Sequence, residues 1–156
     1  MIVVRLSDGL GNQMFQYAVG RHLADRRDTE LRLDLAWFKH RDIYGGTDRT
    51  VTLNGFDVEF NSASPDEIHA VIGNRMASRF IRRYSRLADF FPKTAASQLN
   101  YVRETRGAPD GTVDWPYRRR FYDRIFDFGP DCYLDGYWQT QKYFDTISDT
   151  IRDEFT

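Results

Sequence analysis

Cysteine is almost missing from this chain: Cys132 stands alone among 156 residues. That excludes an internal disulfide and any cysteine-rich metal site. Lysine is nearly as scarce, occurring only as Lys39, Lys93 and Lys142, so the basic side chains are mostly arginine. Arginine suits planar recognition of phosphate and carboxylate, but its scatter here is explained more simply by base composition. Neither charge sign is in surplus, since 22 basic and 23 acidic residues leave a net charge of -1. General nucleic-acid binding needs an excess of Lys and Arg and is not expected. No apolar run approaches the roughly 20 residues that cross a bilayer, and residues 1–7 are too short and too interrupted for a secretory signal. The expectation is a cytoplasmic protein, with peripheral contact to a membrane left open. His22, His40 and His69 stand apart at no metal-ligand spacing, so no metal site is expected. A Gly-x-Ser-x-Gly elbow, a Walker loop and a zincin pattern are all absent.

What remains is a composition of 41% hydrophobic and 29% charged residues, which supports a folded core in one ordinary domain. Ile2 to Leu6 reads as a buried strand. Ser7 to Gln13 reads as a turn or loop, and Met14 to about Asp25 as a helix. Leu31 to Leu35 alternates as a second strand. Strand, glycine-rich turn, helix and strand form a βαβ unit, which implies parallel pairing. Residues 39–50 and 105–116 read as loops, and 51–60 as a short strand or extended segment. Ser64-Pro65-Asp66-Glu67 carries a helix start, with Ser64 as N-cap and Glu67 at N3. That helix ends near Val71 or continues past Gly73. Cys132 to Trp138 reads as a third strand, and Tyr143 to Phe155 as a closing helix.

Three constellations could carry chemistry. Asp8-Gly9-Leu10-Gly11-Asn12-Gln13 leads a strand through glycines toward a helix, where free backbone N–H groups suit a phosphate or carboxylate. As a dinucleotide fingerprint it is incomplete, because Met14 stands where the third glycine belongs; a tight βα turn without a ligand is the plain alternative. Arg75, Arg79, Arg82, Arg83 and Arg86 share one broad helix face, which fits an anionic partner or membrane surface but is more simply a solvated face. Arg118-Arg119-Arg120 repeats this on a smaller scale. Tyr133, Tyr137, Trp138, Tyr143 and Phe144 could stack on sugar rings, or serve as core and wedge residues. Asp8, Asp34 and Asp135 lie near strand ends, where one of them could act as a general base, although turn capping is the commoner use.

Two of these stretches together resemble one family. Gly9-Leu10-Gly11-Asn12-Gln13-Met14-Phe15-Gln16-Tyr17-Ala18, directly after an N-terminal strand, is similar to the opening of the α-1,2-fucosyltransferases, glycosyltransferase family 11. Tyr133-Leu134-Asp135-Gly136-Tyr137-Trp138-Gln139, with Lys142-Tyr143-Phe144 shortly after it, resembles a second block of that family. Ile151 to Thr156 is similar to the family's next segment. Leu33-Asp34 and Leu53 to Phe56 sit where the family has comparable elements. The resemblance implies an α/β fold, a Rossmann-like parallel sheet with flanking helices, forming the N-terminal half of a GT-B glycosyltransferase. The whole of 1–156 would be this single acceptor-side domain. The family's donor-binding signature, His-x-Arg-Arg-x-Asp, does not occur in the chain; Ile81-Arg82-Arg83-Tyr84 lacks both its His and its Asp. The donor-binding C-terminal domain is therefore expected to be absent from these residues. A half with its cleft face uncovered is expected to be weakly stable or to self-associate.

The family resemblance also implies an activity. L-Fucose would pass from GDP-β-L-fucose to the 2-hydroxyl of a galactose-terminated glycan with inversion, without a cofactor or a required metal. Gly9 and Gly11 would let the backbone approach the donor, and Asn12 would be the catalytic residue, hydrogen-bonding the sugar or diphosphate. Gln13 would support the loop or touch the donor. Two other readings stay open: a non-catalytic glycan- or partner-binding remnant of that fold, and a nucleotide-binding oxidoreductase domain with Asp34 as the acid after the second strand.

Overall fold

The computed structural model describes residues 1–39, 49–84, 99–104, 121 and 123–156. The expected loops at 105–116 and over most of 39–50, together with His40, Arg86 and Arg118 to Arg120, lie outside the described residues. The fold is α/β. Strands β1 (Ile2–Arg5), β2 (Leu31–Asp34), β3 (Asn61–Ser62), β4 (Tyr101–Arg103) and β5 (Cys132–Asp135) form one sheet in the order β3-β2-β1-β5-β4. Every neighbouring pair is parallel. Ile2 sits opposite both Leu31 and Cys132, so β1 is the centre of the sheet and is buried along its whole length.

Side chains alternate across a strand, and β1 uses both faces. Ile2 and Val4 join the cluster built on Tyr17, Leu23 and Ile151, whereas Val3 joins Ile68, Ile72 and Ile81. Helices therefore cover both faces, which is what a parallel sheet needs to keep water off its apolar strands. The first face takes α1 (Leu10–Arg27) and the C-terminal helix. The second takes α3 (Pro65–Ile72) and α4 (Arg75–Arg83). A short α2 (Ala36–Lys39) comes directly after β2.

Helix α1 starts earlier than its apolar periodicity suggests. Gly9 is its N-cap, with its carbonyl accepting from Asn12 N at 3.0 Å and Gln13 N at 3.1 Å. Gly11, Asn12 and Gln13 thus belong to the first helical turn and not to a loop. Glycine and asparagine are poor helix formers, and this low propensity masks a start that the backbone bonds to Gly9 secure. The helix ends at Asp28, whose φ of 49° is left-handed, with Arg26 and Arg27 facing the negative dipole end. Helix α3 matches its sequence signals. Ser64 Oγ accepts from Glu67 N at 3.2 Å, Glu67 Oε2 accepts from Ser64 N at 2.7 Å, and Gly73 at φ 80° stops it after Ile72.

The closing segment is not one helix. Two 3-10 turns, Gln141–Tyr143 and Asp145–Ile147, precede α5 (Ser148–Glu154). Phe144 breaks the continuity: its backbone leaves the helical region while its ring packs 6.0 Å from Phe15. The expected third strand stops at Asp135, before Gly136. Two strands, β3 and β4, carry no sequence prediction because they are two and three residues long and sit at the sheet edges. The Cys132 thiol is enclosed in the core, and burial pushes its pKa up to about 12; its reactivity is correspondingly low.

Close packing of α1 on the sheet depends on Gly20. A Cβ there would lie 2.5 Å from Val4 Cγ2 and 2.7 Å from Leu31 Cδ1. Helix propensity alone would make Gly20→Ala stabilising by about 1 kcal/mol. Overpacking of the core costs about 1–3 kcal/mol and is the larger effect. A urea denaturation series should show net destabilisation.

Candidate functional site

Strands β1 and β5 run side by side and parallel, so their carboxyl ends emerge together. The chain leaves β1 toward α1 and β2, but reaches β5 from the opposite edge through β4. The loops after β1 and β5 diverge in sequence direction, and open α/β sheets usually take their ligands in the crevice at such a switch point. Both sequence blocks that carry the family resemblance meet there.

Gln16 joins the two loops. Its Oε1 accepts from Ser7 N at 2.9 Å, while its Nε2 donates to Ser7 Oγ at 2.9 Å and to Gly136 O at 3.0 Å. Gln13 ties in a third segment: its Nε2 donates to Asp8 O at 2.8 Å and Thr50 O at 2.9 Å, and its Oε1 accepts from Thr52 N at 2.9 Å. Both side chains are fully buried. Of the two uses expected for Gln13, supporting the loop is what the geometry describes.

The exposed floor is different. Asn12 is partly exposed, and its Oδ1 accepts from Gln139 Nε2 at 2.6 Å. Its own Nδ2 donates to none of the described residues. Gly11 is exposed, and a Cβ there would meet nothing within 4 Å among the described residues. Packing among those residues therefore gives no reason for a glycine at that helical position. Gly9 is crowded instead, with Arg49 Nη1 2.9 Å from its would-be Cβ. Beside it Asp8 takes a left-handed φ of 64°. Its Oδ2 accepts from the Tyr137 hydroxyl, and its Oδ1 lies 3.5 Å from Arg49 Nη1.

The β5 side of the crevice is fixed by Glu104, directly after β4. Its Oε2 accepts from Tyr137 N at 2.7 Å and Trp138 N at 3.1 Å. Trp138 has a φ of 55° and is fully buried. A bulky residue in that region is a conformational outlier, held here by the carboxylate. Gly136 leaves room for this clamp, since its Cβ would fall 2.4 Å from Glu104 Cβ. No local sequence signal marks Glu104, whose part depends on β4 lying next to β5.

The other acidic and basic candidates turn inward. Asp34 is 1% exposed. It accepts from Arg82 Nε at 3.1 Å, the Tyr133 hydroxyl at 2.8 Å and Ala36 N at 2.9 Å. It caps α2 and anchors α4, and offers nothing to a ribose, which removes the support it lent to an oxidoreductase reading. Arg82 is thereby taken out of the expected solvated arginine face, and Arg75 pairs with Asp66 at 3.4 Å. Asp135 Oδ2 accepts from the Tyr101 hydroxyl at 2.6 Å and Arg103 Nη1 at 3.1 Å. Burial first, then the adjacent carboxylate, raises the pKa of both tyrosines, keeping their hydroxyls neutral donors. Tyr133, Trp138, Tyr143 and Phe144 are core residues; of the aromatic group only Tyr137 reaches the crevice with its hydroxyl. His22 contacts Tyr143 O and Thr146 Oγ1, fastening the C-terminal segment to α1. Among the described residues no three His, Cys, Asp or Glu side chains are grouped to hold a metal ion, and no helix is long and apolar enough to cross a membrane.

This architecture is a Rossmann-like α/β unit with its topological switch point between β1 and β5. Over all 156 residues the chain is 26% identical to an alpha-1,2-colitosyltransferase of Escherichia coli, and it spans 45% of that protein's length. No protein-family model and no solved structure matches it.

Glu104 supplies the sharpest structural test of the site. Glu104→Ala would leave two inward-facing N–H groups without an acceptor, at about 1–3 kcal/mol each. Glu104→Gln keeps a carbonyl oxygen there and should recover most of that loss. Thermal melts of the two variants beside the parent protein check this ordering.

Proposed function

We propose that these residues form the acceptor-side half of a glycosyltransferase that makes an α-1,2 linkage. The favoured reaction transfers L-fucose from GDP-β-L-fucose to the 2-hydroxyl of a galactoside, with no resident cofactor or metal. The observation that carries this reading is the meeting of Asn12 with Gln139 at 2.6 Å. It brings two distant blocks, each similar to fucosyltransferase sequence, onto one crevice. Similarity along the full chain to an alpha-1,2-colitosyltransferase supports glycosyl transfer of the same linkage.

Glycosyl transfer builds positive charge on the sugar's anomeric carbon while the diphosphate leaves with negative charge. The protein's work is to position the two substrates and stabilise that charge. Asn12 presents a donor from the first turn of α1, where the helix end is itself positive. Its carbonyl end is held by Gln139, which restrains the amide and leaves Nδ2 as the end available to substrate. Gly9 and Gly11 let sugar or diphosphate approach the backbone. Gln13 and Gln16 hold this floor without touching substrate. Arginines that neutralise the diphosphate would come from the donor-binding half. Peripheral contact with a membrane rests on the remaining exposed arginines of α4 and stays secondary.

The relative's name favours a second reading, transfer of colitose, which is L-fucose without its 3-hydroxyl. Mass spectrometry of products made by the full-length protein from each GDP-sugar and a galactoside decides between the two. The expected product is the fucosyl galactoside. Colitosyl product alone would transfer the assignment to the second sugar, and no product from either would end the glycosyltransferase reading.

The residues make separate claims. Asn12→Ala should lower kcat about 10²–10³-fold, the range for loss of a preorganised donor. Gly11→Ala should leave the melting temperature unchanged or raise it, because alanine is the better helix former by about 0.5–1 kcal/mol. Its turnover should nevertheless fall at least about tenfold through substrate misplacement. Unchanged turnover in either variant would remove that residue from the site.

A further inference from the structure

We propose that Asp8 is the carboxylate that takes the proton from the acceptor hydroxyl. The inference rests on the glycosyl-transfer reading and adds a catalytic residue to it. In that reaction the acceptor oxygen bonds to the anomeric carbon, and the bond from that carbon to the phosphate oxygen breaks. The electron pair of the broken bond leaves on the nucleoside diphosphate. The acceptor's proton needs a base, and a carboxylate within hydrogen-bond reach can supply one.

Four carboxylates stand at or just beyond the carboxyl ends of β1, β2, β4 and β5 among the described residues. Asp34, Asp135 and Glu104 are 1%, 9% and 9% exposed. Each is occupied in holding the fold, by Arg82 and Tyr133, by Tyr101 and Arg103, and by the Tyr137-Trp138 backbone. Asp8 differs in place and in exposure. It precedes the N-cap of α1, four residues from Asn12, and its side chain is 24% exposed. Its two oxygens are held from opposite partners, Oδ2 by the Tyr137 hydroxyl and Oδ1 by Arg49. Each carboxylate oxygen has two acceptor positions, so one on each remains for an incoming hydroxyl.

The backbone adds an independent observation. Asp8 has a φ of 64°, in the region where glycine costs least. Aspartate tolerates that region better than most residues, but it still carries strain that glycine would not. Its side chain does not cap α1, because that helix has no side-chain cap. A strained residue without a capping duty, at the mouth of a crevice, points to use of its side chain.

The same backbone angle makes the test clean. Asp8→Gly in the full-length protein should fold at least as well as the parent, with an unchanged or higher melting temperature. Its kcat for transfer should fall about 10²–10⁴-fold, the usual contribution of a positioned acid or base. KM for the nucleotide sugar should change little. Added formate, a small carboxylate able to enter the vacated space, should restore part of kcat. Parental kcat in Asp8→Gly would overturn the inference and leave the glycosyltransferase reading intact. So would a loss confined to KM, or one that formate does not relieve. Absence of any transfer by the parent protein would overturn both.

Discussion

The crevice depends on one buried amide. Pairing between β1 and β5 runs from Ile2↔Cys132 to Val4↔Leu134 and then stops. Beyond it the two chains separate, leaving the backbone groups of buried Ser7 and half-buried Gly136 without a partner in the sheet. An unpaired buried backbone group costs about 1–3 kcal/mol. Gln16 answers this from the buried face of α1, with bonds to Ser7 N, Ser7 Oγ and Gly136 O. A primary amide is suited to the task, since it donates and accepts at once. Through it, the helix after β1 also sets the loop after β5. Asp8 can then meet Tyr137, and Asn12 can meet Gln139.

The opposite face solves a different problem with charge. Asp34 and Arg82 form a mostly buried pair, and Tyr133 and the α2 backbone satisfy the remaining carboxylate positions. Such a pair costs desolvation and is tolerated when its hydrogen bonds are complete. Arg5 continues the tie by donating to Ile81 O at 3.1 Å. These groups lock α4 against the ends of β1 and β2. The protein thereby separates two uses of carboxylate at one sheet edge. Asp34, Asp135 and Glu104 are enclosed and structural, while Asp8 keeps an exposed face.

Legibility in the sequence tracks the strength of local signals. β1 and β2 are readable because buried central strands are continuous or alternating apolar runs. α3 is readable to its ends, since Ser64, Pro65, Glu67 and Gly73 each have a distinct terminal role. The edge strands β3 and β4 are not, being too short to show a period. α1 begins four residues ahead of its apolar pattern, because backbone bonding to Gly9 outweighs the low helix propensity of Gly11 and Asn12. Asn12, Gly9 and Gly11 can be named from the family resemblance. Gln16 lies inside the first family-like block, yet its role depends on Gly136, which is 120 residues away in the chain. Glu104 and Arg49 have no local pattern, because only the strand order and loop path bring them to the crevice.

The central claim is that the two blocks act on substrate as one unit through Asn12 and Gln139. A double-mutant cycle in kcat/KM tests it most directly, using Asn12→Ala, Gln139→Ala and the combined variant of the full-length protein. Residues that share one network couple by about 0.5–3 kcal/mol. The expected result is a coupling in that range, with the double variant little worse than Asn12→Ala alone. Additive losses would show that the two residues act independently, and would contradict the account.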